Sequence, residues 1–119
     1  MHRLILEAPG TVGLAFDATA PLESTGRFFA VLETELGHRA ARRVLVRFDG
    51  LDAVALAPVW KSFEFSSGAT DAVERAAIVG PVPAHTWLER LGRMMFPEAE
   101  ILVSDDETRA RAHLGAPPA

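Results

Sequence analysis

The stretch 73–103 constrains this chain more than any other, because it reads as strand, tight turn, amphipathic helix and strand in succession. Residues 73–79 are a short apolar run that stops at Gly80-Pro81. A helix opening near Pro83 then carries Trp87, Leu88, Leu91, Met94 and Met95 at helical spacing, and Phe96-Pro97 closes it. Ile101-Leu102-Val103 follows as a second apolar run. Two strands joined through a helix form a βαβ unit, which makes them parallel and places the chain in the α/β class.

The flanking sequence extends that unit. Residues 3–8 read as a strand, Pro9-Gly10 as a turn and 11–17 as a second strand, with Val12, Leu14 and Phe16 on one face and Gly13 and Ala15 on the other. So short a link makes an antiparallel hairpin. The small-residue face admits close approach, by a packed helix before a ligand. Thr19 or Ser24 caps a helix whose face carries Phe28, Phe29, Leu32 and Leu36, with Gly37 as its stop. The basic segment His38-Arg39-Ala40-Ala41-Arg42-Arg43 suits a helix C-terminus, an anion patch being the alternative.

Val44-Leu45-Val46 marks a third strand over 43–48. Across 51–70, Leu56, Val59, Trp60 and Phe63 fit a helical face with Pro58 in its first turn. Asp105-Asp106-Glu107 lead into a last helix over 108–114, and 115–119 is a fraying tail. The expectation is one domain spanning 1–119, with its core in 3–114. It is a mixed five-stranded sheet, an N-terminal antiparallel hairpin followed by parallel strands joined by helices.

Composition excludes several chemistries. At 119 residues the chain buries a core without metals or disulfides, and 49% hydrophobic with 24% charged residues is globular composition. A net charge of −4 argues against nucleic acid or anionic membrane as the main partner. Without cysteine there are no disulfides, thiolate metal sites or cysteine nucleophiles. The four histidines, His2, His38, His85 and His113, include no pair at metal-ligand spacing, so no metal or cofactor is expected. The N-terminus meets Glu7 and Pro9-Gly10 before an apolar stretch develops, and no window reaches the length of a transmembrane segment. A cytoplasmic location is the expectation.

Few motifs carry chemistry. Neither GxGxxG nor GxxxxGK[ST] occurs. The helix start near Pro83 lies at the carboxyl end of a parallel strand, where α/β proteins bind ligands, and this makes His85 and Thr86 a candidate anion site. Ser66-Ser67-Gly68 lacks the glycines of a nucleophile elbow and reads as a turn. The adjacent carboxylates of Asp105, Asp106 and Glu107 point apart, as exposed helix-start groups do, rather than toward one metal. Trp60 and Phe63, with Trp87, Leu91, Met94 and Met95, exceed what one helix face buries. They are a candidate apolar pocket or partner surface, with plain core packing as the competing reading.

In this arrangement, Arg43-Val44-Leu45-Val46, a tryptophan-bearing helix and Val73-Glu74-Arg75-Ala76-Ala77-Ile78-Val79-Gly80 together resemble the SpoIIAA-like family of bacterial proteins. So do Trp87, the helix ending in Phe96-Pro97 and the strand Glu100-Ile101-Leu102-Val103. The resemblance implies a STAS-like α/β fold, related to anti-sigma factor antagonists and to CRAL-TRIO lipid carriers, and it brings no catalytic residues. In the antagonists a phosphorylatable serine follows an aspartate at the end of the third strand; here that stretch is Asp49-Gly50-Leu51-Asp52-Ala53-Val54, without a serine.

The expected function is therefore a noncatalytic binding domain for an apolar, lipid-like ligand or a protein partner. An antagonist-type switch and a small enzyme using His85 are the alternatives. A homodimer through an open strand edge or the aromatic helices is a further expectation.

Overall fold

Pro9 and Gly10 turn the first strand back on itself: β1 (His2–Ala8) runs antiparallel to β2 (Thr11–Asp17), with Ala8 opposite Thr11 and Gly10 at φ 70°. The structure is a computed structural model that describes residues 2–17, 32–49 and 72–115. The readings placed on Phe28 and Phe29, on 51–70 with Trp60, Phe63 and Ser66-Ser67-Gly68, and on 116–119 lie outside those residues.

β3 (Arg43–Asp49), β4 (Arg75–Val79) and β5 (Glu100–Ser104) complete a five-stranded sheet in which spatial order equals chain order. Every pair from β2 onward is parallel, so the mixed sheet has the expected composition. Right-handed crossovers between strands laid down in order pass over the same side of a sheet. Accordingly α1, described over 32–38, and α2 (His85–Met95), which follows a 3-10 turn at Val82–Ala84, both cover one face. α3 (Glu107–His113) follows the last strand and crosses the opposite face.

The two-residue period of the strands sorts side chains between those faces. Val12, Leu14 and Phe16, Val44, Val46 and Phe48, and Ala76 and Ile78 point toward the α1–α2 side, where Leu32, Leu36, Leu88, Leu91, Met95 and Phe96 meet them. Phe16 and Phe48 are register partners whose rings pack edge to face, with centroids 5.6 Å apart. Gly92 lets α2 come down on the sheet; a Cβ there would stand 2.8 Å from Ile78 Cδ1. Leu45, Ala77 and Val79 point the other way and pack on Ala110 and Leu114 of α3, with Ile5 and Leu6 alongside.

Three local details qualify the expectations. Helix α1 does not stop at Gly37 but runs on to His38. The amide of Ala41 then bonds Leu36 O and that of Ala40 bonds Gly37 O, the paired contacts of a Schellman ending, while Ala41 and Leu36 are both buried. The left-handed residue this ending requires is Ala40, at φ 48°, not a glycine. Second, the small residue at Gly13 serves neither a helix nor a ligand among the described residues. Leu6 and Leu45 on the flanking strands lean over it, so close that an added Cβ would lie 2.7 Å from that of Leu6.

The third detail concerns the basic segment, which was expected to suit a helix C-terminus with an anion patch as the alternative; its arginines are consumed by pairing, which goes against the patch. Arg39 bonds Glu35 and Glu7, and Arg42 bonds Glu74. Arg43 donates to Leu114 O at 2.7 Å, so it caps the C-terminus of α3 on the other face of the sheet. The carboxylates of Glu35 and Glu7 hold Arg39 in its charged form and raise its pKa. Among the described residues no helix is long and apolar enough to cross a membrane.

Candidate functional site

Parallel strands end their backbone ladders at one edge of the sheet, and the helices that begin there leave a crevice. In this chain the crevice is a cleft of about 480 Å³ lined by Arg47, Phe48 and Asp49 at the end of β3, by Val79, Gly80 and Pro81 after β4, and by Asp105 and Glu107 after β5. Its floor is polar because the strand alternation that buries Leu45 also directs Arg47 to the α3 side.

Arg47 organises the cleft. Its Nε and Nη2 donate to the two carboxylate oxygens of Asp49 at 3.0 and 3.1 Å, and its Nη1 donates to Glu107 Oε1 at 2.8 Å. Asp49, then Glu107, favour the charged guanidinium through these bonds and raise its pKa above the ordinary arginine value. Glu107 also accepts from Arg111 Nε at 3.3 Å, and Arg111 Nη2 donates to Ile5 O at 3.1 Å. Asp49, Arg47, Glu107 and Arg111 thus form one chain of hydrogen bonds from the cleft across α3 to β1. A guanidinium already shared between two carboxylates is a poor anion trap. Among the described residues no group of His, Asp and Glu is arranged to hold a metal ion.

The candidate anion site sits beside this cleft. His85 Nε2 lies 3.0 Å from Gly80 O; since a carbonyl only accepts, Nε2 carries the proton and the ring braces the turn between β4 and α2. Thr86 is exposed, and the N-cap position of α2, Ala84, supplies no side-chain bond. Asp106, by contrast, caps α3 by accepting from the Thr108 amide at 2.9 Å, and Ser104 Oγ accepts from the Asp106 amide at 3.0 Å.

The apolar residues singled out on α2 divide according to helical angle. Leu91 and Met95 are 2% and 1% exposed and belong to the core; Trp87 is half-buried and packs against it; Met94 is 46% exposed. Trp87 and Met94 are seven residues apart, two turns of helix, so they lie on the same flank. Trp60 and Phe63 lie outside the described residues. The sequence pattern did not mark Arg47 or Asp49 as site residues, and it read Glu107, with Asp105 and Asp106, as an exposed helix-start carboxylate; Glu107 is instead half-buried and bonded to Arg47. The available signal was an arginine inside an otherwise apolar strand, two residues ahead of the Asp49-Gly50 stop.

No curated protein and no solved structure is a significant match to the chain. A model of the SpoIIAA-like family matches residues 13–115, from β2 through the residue that ends α3. The mixed five-stranded sheet and the three described helices are consistent with the STAS-like α/β fold which that family implies. The match covers most of the sequence, and the chain belongs to the SpoIIAA-like family.

Proposed function

We propose that this chain is a noncatalytic binding domain that engages a protein partner through the flank of α2 bearing Trp87 and Met94. The carrying observation is the exposure of Met94 beside half-buried Trp87, on a helix whose remaining apolar residues Leu88, Leu91 and Met95 are in the core. An amphipathic helix that continues its apolar face beyond what its own core covers offers area to a partner, and a methionine adapts to irregular apolar surfaces.

The charged lining of the strand-end cleft supports a protein partner over a lipid-like ligand, because an apolar ligand would have to desolvate Arg47, Asp49, Asp105 and Glu107. The absence of a serine in Asp49-Gly50-Leu51 weighs against an antagonist-type switch. The bond from His85 Nε2 to Gly80 O gives that histidine a structural task.

A photo-crosslinking residue placed at Met94 tests the reading in extract of the native host, with the same residue at exposed Arg109 on α3 as control. The expected outcome is a discrete protein adduct from position 94 only, reduced about ten-fold by the flank variant Trp87→Ala. Adducts of equal yield from both positions, or from neither, overturn the proposal.

A further inference from the structure

The sheet has two edge strands, and they are finished differently. β1 carries a bulge between Leu4 and Leu6, exposes Arg3 and Glu7, and has its bulge carbonyl, Ile5 O, occupied by Arg111. Bulges and charges are the devices that stop an edge from pairing with another chain. β5 has a regular register with β4 and the apolar centre Ile101-Leu102-Val103, all three half-buried.

The direction of the β5 backbone groups follows from its ladder. The Glu100 amide donates to Glu74 O, and Ser104 O accepts from the Gly80 amide, so residues 100, 102 and 104 turn their peptide groups toward β4. By alternation Ile101 and Val103 turn theirs outward. Among the described residues no strand lies on that side.

We propose that β5 is an interface between two copies of this chain, paired antiparallel about a two-fold axis through Leu102, so that two five-stranded sheets become one. This register uses both outward residues. Ile101 faces the partner's Val103 and Val103 faces the partner's Ile101, which forms four backbone hydrogen bonds, while Leu102 meets the partner's Leu102 on the axis.

The charge along the next element selects a second copy as the occupant. At the carboxyl end of β5, Asp105 and Asp106 lead into α3 at Glu107, and the helix closes with Arg109, Arg111 and His113; His113 Nε2 bonds Glu100 O, which brings the basic end back to the start of β5. It therefore runs antiparallel to its own strand, acidic at one end and basic at the other. The two-fold operation reverses that gradient and sets the acidic end of each copy toward the basic end of the other. An isologous contact is self-complementary in this way; an arbitrary extended peptide supplies the strand but not the reversed gradient. The inference is independent of the α2 flank, since neither Trp87 nor Met94 enters it.

The absence of cysteine makes the test direct. In a non-hydrogen-bonded antiparallel pair the Cα atoms stand about 4.5 Å apart, within the range a disulfide spans. Leu102→Cys is expected to give a disulfide-linked dimer under mild oxidation, and Leu4→Cys on the bulged edge is expected not to. In analytical ultracentrifugation, Leu102→Lys and Leu102→Glu should each be monomeric with an unchanged circular dichroism spectrum, while an equimolar mixture of the two recovers the dimer with at least ten-fold tighter association. A monomeric wild-type protein at about 100 µM, a mixture that stays monomeric, or a dimer that persists in both single variants overturns the proposal. So does a monomer whose β5 amides gain protection from hydrogen exchange only when another protein is added, because the edge then belongs to a different chain.

Discussion

The two faces of the sheet are closed by different physics. On the α1–α2 side a continuous apolar cluster runs from Phe16 and Phe48 through Leu32, Leu36, Leu88, Leu91 and Met95, and the helices rest on it by burial of area. On the α3 side the fully buried apolar residues among those described are few, Leu45, Ala77, Ala110 and Leu114, and arginines supply further attachments. Arg43 and Arg75 donate to the last carbonyls of α3, Arg47 and Arg111 both bond Glu107 in its first turn, and Arg111 reaches Ile5 O. A seven-residue helix has too little apolar face to hold itself down, so directional bonds at both its ends do so instead.

The helix endings show the same division. α3 ends on Gly115 at φ 69°, a conformation glycine adopts freely, with an Arg43 nitrogen 2.9 Å from where a Cβ would be. α1 ends on Ala40 at φ 48°, which costs a residue bearing a Cβ about 1 kcal/mol. The well-packed side tolerates a strained ending because Leu36 and Ala41 are anchored in its core; the thin side does not carry that load.

This contrast can be broken by measurement. Leu88→Ala removes a side chain with no exposure from the large cluster and should lower global stability by about 3 kcal/mol in urea denaturation. Leu114→Ala removes the same number of atoms from the small one. Its expected cost is about 2 kcal/mol, at the lower end of the range for such changes, since a short helix at the sheet surface can settle into the gap. Hydrogen exchange should show α3 opening locally in Leu114→Ala and the whole sheet opening in Leu88→Ala; equal, global effects of both would mean that the faces form one cooperative unit. The smallest effect is a gain: Ala40→Gly should raise stability by about 1 kcal/mol through relief of the left-handed conformation. A loss there would show that the Ala40 methyl makes contacts outweighing its backbone strain.

Arg47 adds no pH dependence to this balance near neutrality. Its folded pKa is raised, so the stability it contributes is fully present below the unfolded arginine value and is lost only as pH rises through the folded one, far into the alkaline range.

Much of the architecture was legible in the residues. The period of two in Val12, Leu14 and Phe16, the Pro9-Gly10 turn and the helical spacing from Leu88 to Met95 each express a local rule about which side chains share a face. The cleft was not legible, because it is made by Arg47, Asp49 and Glu107, and positions 49 and 107 stand 58 apart in the chain. The spacing of Leu88, Leu91 and Met95 sets them on one face and Met94 on the next flank, but which of these is buried was decided by the docking of α2 on Ile78 and Ile101 at Gly92.

The sequence by itself determined the class of fold and the order of its elements, since periodicity, turn residues and the handedness of crossovers act over short stretches of chain. It also determined which chemistries are absent for want of cysteine. Tertiary structure alone decided that the arginines of 39–43 would be spent on pairing, that Gly13 would serve two neighbouring leucines, and that β5 rather than β1 would carry the regular apolar edge. Those outcomes depend on what distant residues bring to the same place, and a charge, a glycine or a strand edge takes its meaning from that neighbour rather than from the residues beside it in sequence.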